Sequence, residues 1–347
     1  MLNNPAEVRV GVVGLGYWGP NLVRVLVETP GVELTWISDL DESRTERLAR
    51  RYPAARTTTN LDDLLDDPEL DAIALATPVG SHHPLARRCL EAGKHVLVEK
   101  PLAPSGAEAE DLIALAEAQG VVLMCGHTFL YSPPVRHAKR LLEAGDLGEV
   151  LFVSSSRVNL GLHQKDVSVI WDLAPHDLSI LRFWLDETPH TVSAVGRDSI
   201  VEGVPDVAFL NLQYPSKVLA NVELSWLAPS KLRRTVIVGS KKMLVYDDTS
   251  PEPIRIFDHG VVYEDPETFG AYHLSYRTGD ITSPRIDTVE PLGVEMTTWA
   301  EAIRNGAAPE GHVELARDVV LTAEAAERSL REGGVQVQVA DPVGGPA

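Results

Sequence analysis

At 347 residues the chain exceeds what one hydrophobic core ordinarily holds, so length alone predicts two domains. With 44% apolar and 23% charged residues it reads as a soluble globular protein, and no apolar run approaches the roughly 20 residues of a membrane span. A formal charge of −19 argues against a nucleic-acid partner, which needs basic faces.

The early apolar run Val8 to Val13 is short and broken by Arg9, so it is read as a strand and not a signal peptide. Cys89 and Cys125 sit in apolar surroundings and read as buried thiols. That predicts a reducing, cytoplasmic location and no disulfide. After the first strand a helix is predicted over Pro20 to Glu28, a strand over Glu33 to Ser38, and a helix over Glu42 to Tyr52 capped by Asp41. A short strand at Thr57 to Thr59 and one helical turn at Leu61 to Leu65 follow. Next come a strand at Ala72 to Ala76, a helix from Pro84 to Ala92, a strand from His95 to Val98, a helix from Ala107 to Gln119 and a strand from Val121 to Cys125. Alternating strands and helices with short connections predict parallel strands with right-handed crossovers, an α/β doubly wound (Rossmann) sheet over residues 1–127.

From residue 128 to 347 the rhythm changes. A helix near Pro134 to Ala144, a strand near Val150 to Ser155 and a helix from about His176 to Leu185 precede strand-like segments at Thr191 to Val195, Val207 to Gln213, Lys217 to Leu227, Arg234 to Gly239 and Met243 to Tyr246. Consecutive strands without helices between them predict an α+β domain with a large, mostly antiparallel sheet. The stretch Asp247 to Pro291 is rich in Pro, Asp and Thr and reads as irregular hairpins and loops, after which helices return at Leu292 to Asn305 and Val313 to Arg331.

Gly14-Leu15-Gly16-Tyr17-Trp18-Gly19 follows a strand and opens a helix. In that setting Gly14 makes the tight turn, Gly16 lets backbone approach a pyrophosphate, and Gly19 lets helix and sheet pack closely, with the helix N-terminus facing the phosphates. Asp39 falls at the end of the second strand, where a carboxylate takes the ribose hydroxyls and repels a 2′-phosphate. NAD is therefore expected, with Arg44 and Arg47 keeping NADP open as the less favoured cofactor. Lys100, after the strand His95 to Val98, stands at the ligand-binding edge of the sheet, where its ammonium can polarise an oxygen; a surface loop lysine is the alternative. Asp172 and His176 are four apart at what reads as a helix start, which places them on one side of the first turn. A neutral His176 oriented by Asp172 can accept a proton there, the alternative being an N-cap and a core histidine. No metal-ligating cluster stands out.

Taken together, the glycine loop, Ala76-Thr77-Pro78 followed by His82, Ala92-Gly93-Lys94-His95 leading to Glu99-Lys100-Pro101, and the Asp172/His176 pair resemble the Gfo/Idh/MocA oxidoreductases over roughly residues 7 to 335. The resemblance implies an NAD(H)-dependent enzyme that transfers hydride at a secondary hydroxyl or ketone of a sugar, sugar nucleotide or cyclitol, and that pairs into homodimers or homotetramers. It implies that Lys100, with a cis peptide at Pro101, and the Asp172/His176 pair are the catalytic set. It also implies that Tyr17, Trp18, Thr77, Pro78, His82 and Glu99 join Gly14, Gly16, Gly19 and Asp39 around the cofactor. The runs Gly14 to Asn21, Asn159 to Leu162 and Trp171 to Asp177 are similar to members acting on surface-polysaccharide amino sugars, such as UDP-N-acetylglucosamine 3-dehydrogenases. A diphosphate substrate of that kind calls on Arg157, Lys165, Lys231, Arg233 and Arg234, with Asn159, Tyr131 and Trp171 as further substrate contacts. Open alternatives are a sugar 3-ketoreductase, a cyclitol dehydrogenase and a non-catalytic NAD-sensing regulator.

Overall fold

The structure is a computed structural model that describes residues 7–161, 163, 167–264 and 273–339. Its described residues separate into two compact units: residues 7–131 with Val289–Leu321, and Ser132–Thr288 with residues 322–339. The sequence reading expects a single crossing at residue 127; the chain instead crosses back near 289, so helices from the far end of the sequence complete the first core.

In the first unit β1 (Val8–Val13), β2 (Val32–Ser38), β3 (Arg56–Thr58), β4 (Ala72–Leu75), β5 (His95–Glu99) and β6 (Leu123–Gly126) form a six-stranded sheet in the order β3-β2-β1-β4-β5-β6. Every pairing in it is parallel. β4 is a continuous apolar run, and β1 and β5 are apolar apart from Arg9, His95 and Glu99, as suits strands covered on both faces. The helices are α1 (Gly19–Glu28), α2 (Glu42–Ala49), the single turn α3 (Asp62–Leu65), α4 (His82–Glu91) and α5 (Gly106–Gln119). Asp41 and Ser105 cap α2 and α5, accepting the N–H groups of Ser43 and Glu108. All strands run the same way, so the loops after β1, β2, β4 and β5 share one edge, and the order reverses between β1 and β4, where α/β sheets open a ligand crevice.

In the second unit α6 (Pro133–Glu143), β7 (Val150–Leu160) and α7 (Val169–Leu185) lead into β8 (Thr191–Arg197), β9 (Val207–Gln213), β10 (Leu219–Ser225), β11 (Leu227–Gly239), β12 (Met243–Asp247), β13 (Ile254–Glu264) and β14 (His273–Thr282). α8 (Pro291–Asn305) belongs to the first unit, while α9 (His312–Arg331) contributes to both and precedes β15 (Val337–Gln338). Among the described residues the sheet has nine strands, ordered β14-β13-β12-β11-β7-β10-β9-β8-β15. It is antiparallel except where β10 runs parallel to β7. α7 covers one face, over Ala208, Leu210, Leu212, Val222 and Leu224. On the opposite face Phe152 is paired with Leu219, and Val195 with Phe209, all four exposed.

Two expectations need correcting. The stretch read as loops holds the long strands β13 and β14. β13 is half-buried along most of its described length and the described residues of β14 are exposed, so neither shows the in–out alternation by which a strand with one buried face is recognised. Helix α7 starts seven residues before the predicted His176, at Val169 behind Ser168, and Pro175 lies inside it. Proline favours a first helical turn, hence the misplacement.

Candidate active site

The glycine loop is built as its spacing requires. Gly14 has φ +92°, and a side chain there would meet the Ala76 carbonyl at 2.6 Å; one on Gly19 would meet the Gly14 carbonyl at 1.9 Å. A side chain on Gly16 would meet only Arg44, at 4.0 Å, so the backbone there is open to a ligand. No side chain caps the first turn of α1, which holds no acidic residue, so its N–H groups face outward with their partial positive charge. Tyr17 is exposed in this loop and Trp18 half-buried. The buried Asp39 carboxylate takes the Leu15 N–H on Oδ2 at 2.6 Å and the Asp41 N–H on Oδ1 at 2.8 Å. Arg44 reaches over it at 3.5 Å and also pairs with Asp41. These residues fit a dinucleotide: tight glycines where the protein is crowded, an open one where the phosphates would come, and a carboxylate at the second strand's end.

Glu99 ends β5 and Lys100 follows it at the same edge, and the Lys100–Pro101 bond is cis. His82, expected among the cofactor residues, is tied to the protein's own loops. Its ring is buried, with Nδ1 2.7 Å from the Pro101 carbonyl and Nε2 2.8 Å from the Thr77 carbonyl, so it ties the loop after β5 to the loop after β4. A neutral ring donates to only one of the two carbonyls, and burial holds its pKa down all the same. Thr77 Oγ1 accepts from Ser81 at 2.9 Å, and Pro78 is exposed beside it.

Behind Glu99 lies a buried polar cluster that the sequence reading missed. Gly126 at the end of β6 lies against the Glu99 carboxyl, Thr128 donates to Glu295 Oε2 of α8 at 2.7 Å, and His312 of α9 meets the backbone of Cys125. Oε1 of Glu99, Oε1 of Glu295 and both ring nitrogens of His127 are buried without a hydrogen-bond partner. Burial, opposed by neighbouring Lys100, pushes Glu99 up to about 7. Burial together with Glu99 holds Glu295 well above the carboxylate range. His127 is driven down to about 3 and His312 to about 4, mainly by burial. One signal was available: Glu295 interrupts the apolar face Leu292, Met296, Trp299 of α8.

In the second unit α7 carries Trp171, Asp172 and His176. Asp172 lies in the first turn and its Oδ2 accepts the Trp226 indole N–H at 3.0 Å. His176 is the eighth helical residue, beyond the turn over which an end-of-helix field acts, so that argument for a neutral ring does not apply. Arg157 is not a free cation for a diphosphate. It is 4% exposed, its guanidinium paired with Asp177, whose other oxygen takes the Ser155 hydroxyl at 2.8 Å. Arg233 pairs with Asp248 at 3.0 Å, Lys231 and Arg234 are exposed on β11, and Asn159 is half-buried near the end of β7. Lys165 lies outside the described residues. Tyr131, in the first unit, is 4% exposed and belongs to the core.

A switch-point glycine loop, an acidic second-strand end and a lysine after the fifth strand define a dinucleotide-binding oxidoreductase fold joined to a large-sheet unit. Residues 8–127 match the oxidoreductase family with an NAD-binding Rossmann fold, and residues 135–245 match the GFO/IDH/MocA C-terminal domain. The chain is 31% identical over 264 residues to the uncharacterized oxidoreductase YdgJ of Escherichia coli K12, spanning 72% of this chain and 74% of that one. It is 28% identical over 226 residues to inositol 2-dehydrogenase of Mycolicibacterium smegmatis, spanning 63% and 66%. Among solved structures, GenD2 from gentamicin A biosynthesis in complex with NAD superposes with a TM-score of 0.83 at 26% identity, covering 98% of both chains. The chain belongs to the Gfo/Idh/MocA oxidoreductases. It spans between 62% and 74% of the length of the first curated relatives it matches.

Proposed function

We propose that the chain is an NAD(H)-dependent dehydrogenase or ketoreductase acting on a secondary hydroxyl or ketone of a sugar or cyclitol. The observation that carries the reading is the placement of Lys100 on the same sheet edge as a glycine loop shaped for a dinucleotide. The bound nicotinamide would supply the hydride acceptor or donor. Gly14, Gly16, Gly19 and Asp39 hold the cofactor, Lys100 polarises the reacting oxygen, and His176 with Asp172 takes its proton; Lys100 and His176 can exchange the acid–base role. The similarity to an inositol 2-dehydrogenase supports a cyclic polyol. A nucleotide sugar such as a UDP-N-acetylhexosamine, reacting at its 3-position, is the narrower form. It draws on Lys231 and Arg234 alone among the described cations named for it, since Arg157 and Arg233 are paired internally. Two buried free thiols agree with a cytoplasmic setting, and the exposed apolar strand face supports a homodimer or homotetramer.

The test is a screen of free polyols, cyclitols and UDP- and dTDP-sugars with NAD, read at the nicotinamide absorbance. His176→Ala and Lys100→Met should each lower kcat by about 10²–10⁴-fold, with NAD affinity nearly intact. Near wild-type kcat in either variant would remove that residue from the mechanism, and stoichiometric NAD binding without turnover across the panel would favour a regulatory protein.

A further inference from the structure

Asp172 does not stand alone in the second unit, and what holds it is a residue outside every motif considered above. Trp226 sits between β10 and β11, is 1% exposed, and gives its one polar hydrogen to Asp172 Oδ2 at 3.0 Å. The indole is itself held from several directions. Its backbone N–H donates to the Asp206 carbonyl and its carbonyl accepts the Gly161 N–H, both at 2.9 Å. The His163 ring meets it edge-on, with centroids 5.4 Å apart, and His163 Nε2 lies 3.6 Å from the Asp206 carboxylate. A methyl group on Gly161 would meet Cδ1 of the indole at 2.7 Å, so the absence of a side chain there is a condition for the ring's position.

Asp206 ties this arrangement to the helix that carries Asp172. It is fully buried, and its Oδ2 takes the N–H groups of Ser199 and Ile200 at 3.0 and 2.9 Å. The preceding Pro205 carbonyl accepts the N–H of Val169, the first residue of α7, at 2.8 Å. One short segment thus fixes both the start of the helix that bears the carboxylate and the backbone of the tryptophan that grips it. Hydrogen bonds to charged groups are among the stronger ones, and a rigid donor sets direction as well as strength.

We propose that Trp226 is a positioning residue of the substrate site, whose indole N–H fixes the Asp172 carboxylate and which Gly161, His163 and Asp206 hold in place. This rests on the reading that Asp172 acts on substrate. The experiment is a double-mutant cycle on the whole chain with whichever polyol or sugar turns over. Trp226→Phe keeps an aromatic ring and removes the N–H. It should lower kcat/KM for that substrate by about 10- to 100-fold, with NAD affinity within about twofold of wild type. In an Asp172→Ala background the same change should cost less than about threefold, since the carboxylate it acts through is gone. Gly161→Ala, which displaces the ring and leaves its chemistry intact, should show the same loss and the same non-additivity, and it serves as the second variant if the Phe protein folds poorly. Losses of equal size in both backgrounds would make Trp226 merely structural and overturn the proposal. So would a Trp226→Phe enzyme within about threefold of wild type while Asp172→Ala is impaired. An Asp172→Ala enzyme that works normally would instead remove the assignment of Asp172, and the proposal with it.

Discussion

The buried Glu99 makes a prediction about stability that needs no substrate. Its carboxyl titrates near pH 7 in the folded protein, against an ordinary value of 4.5, because burial outweighs the pull of Lys100 and its backbone N–H. The folded protein therefore holds this proton more tightly than the unfolded chain does. The resulting stabilisation is complete below pH 4.5 and is lost as pH rises to about 7. At about 1.4 kcal/mol per pH unit the loss amounts to roughly 3 kcal/mol. Glu99→Gln keeps the shape and removes the titration. Its stability relative to wild type should therefore rise by roughly 3 kcal/mol between pH 4.5 and pH 8. His127 and His312, held neutral down to about 3 and 4, lose stability in the opposite sense as pH falls below 6.5. They do so in both proteins, so the difference between the two reports Glu99 together with its coupling to Glu295. Urea unfolding of the cofactor-free chain, followed by tryptophan fluorescence at several pH values, measures it. A Gln-minus-wild-type difference that stays flat across that range would refute the reasoning.

Asp39→Ala should weaken NAD(H) binding and narrow its advantage over NADP(H), because the carboxylate that holds the Leu15 N–H and would repel a 2′-phosphate is removed; fluorescence titration reads both cofactors, and a wild-type preference for NADPH would overturn the assignment. Asp177→Asn should destabilise the protein by about 1.5–3 kcal/mol in urea or thermal unfolding, since it removes the charge that pairs with the buried Arg157 guanidinium, whereas substituting an exposed charge such as Arg234 should change little. Phe209→Lys should shift the protein toward the monomer in light scattering; a wild-type chain that already scatters as one chain mass at micromolar concentration would reject the assembly.

What was legible in the sequence is what neighbouring residues decide among themselves. Gly14, Gly16 and Gly19 after an apolar strand determine a local turn, and that turn stands where the spacing predicts it. The consecutive strands after Thr191 likewise make a mostly antiparallel sheet. Features that depend on distant segments were not legible. Glu295 reaches Thr128 only because the chain returns near residue 289, and Trp226 reaches Asp172 only through the fold. Pro175 misled the placement of α7 because proline is favoured at a helix start and tolerated, at a cost, within one. Composition could not separate β13 and β14 from loops, since neither the evenly half-buried β13 nor the exposed β14 needs apolar periodicity.

Several residues whose chemistry suggested contact with a ligand turn out to hold the protein to itself. His82 joins two loop carbonyls, Arg157 neutralises Asp177, and Asp39 takes two backbone N–H groups in addition to the ribose role proposed for it. Most buried polar side chains have their hydrogen bonds made, and the loops of an active-site edge have many backbone groups in need of partners. Charged and imidazole side chains close to a site are therefore often the fixings of its walls, while the surface offered to the ligand is backbone, as at Gly16 and the first turn of α1. The two kinds separate in kinetics. Loss of a fixing blurs geometry and lowers kcat along with binding, whereas loss of a contact that is equal in ground and transition states raises KM and spares kcat. His82→Ala should accordingly lower kcat through the loosened loop after β5, an effect distinct from the pure binding defect expected of a residue that only touches the cofactor.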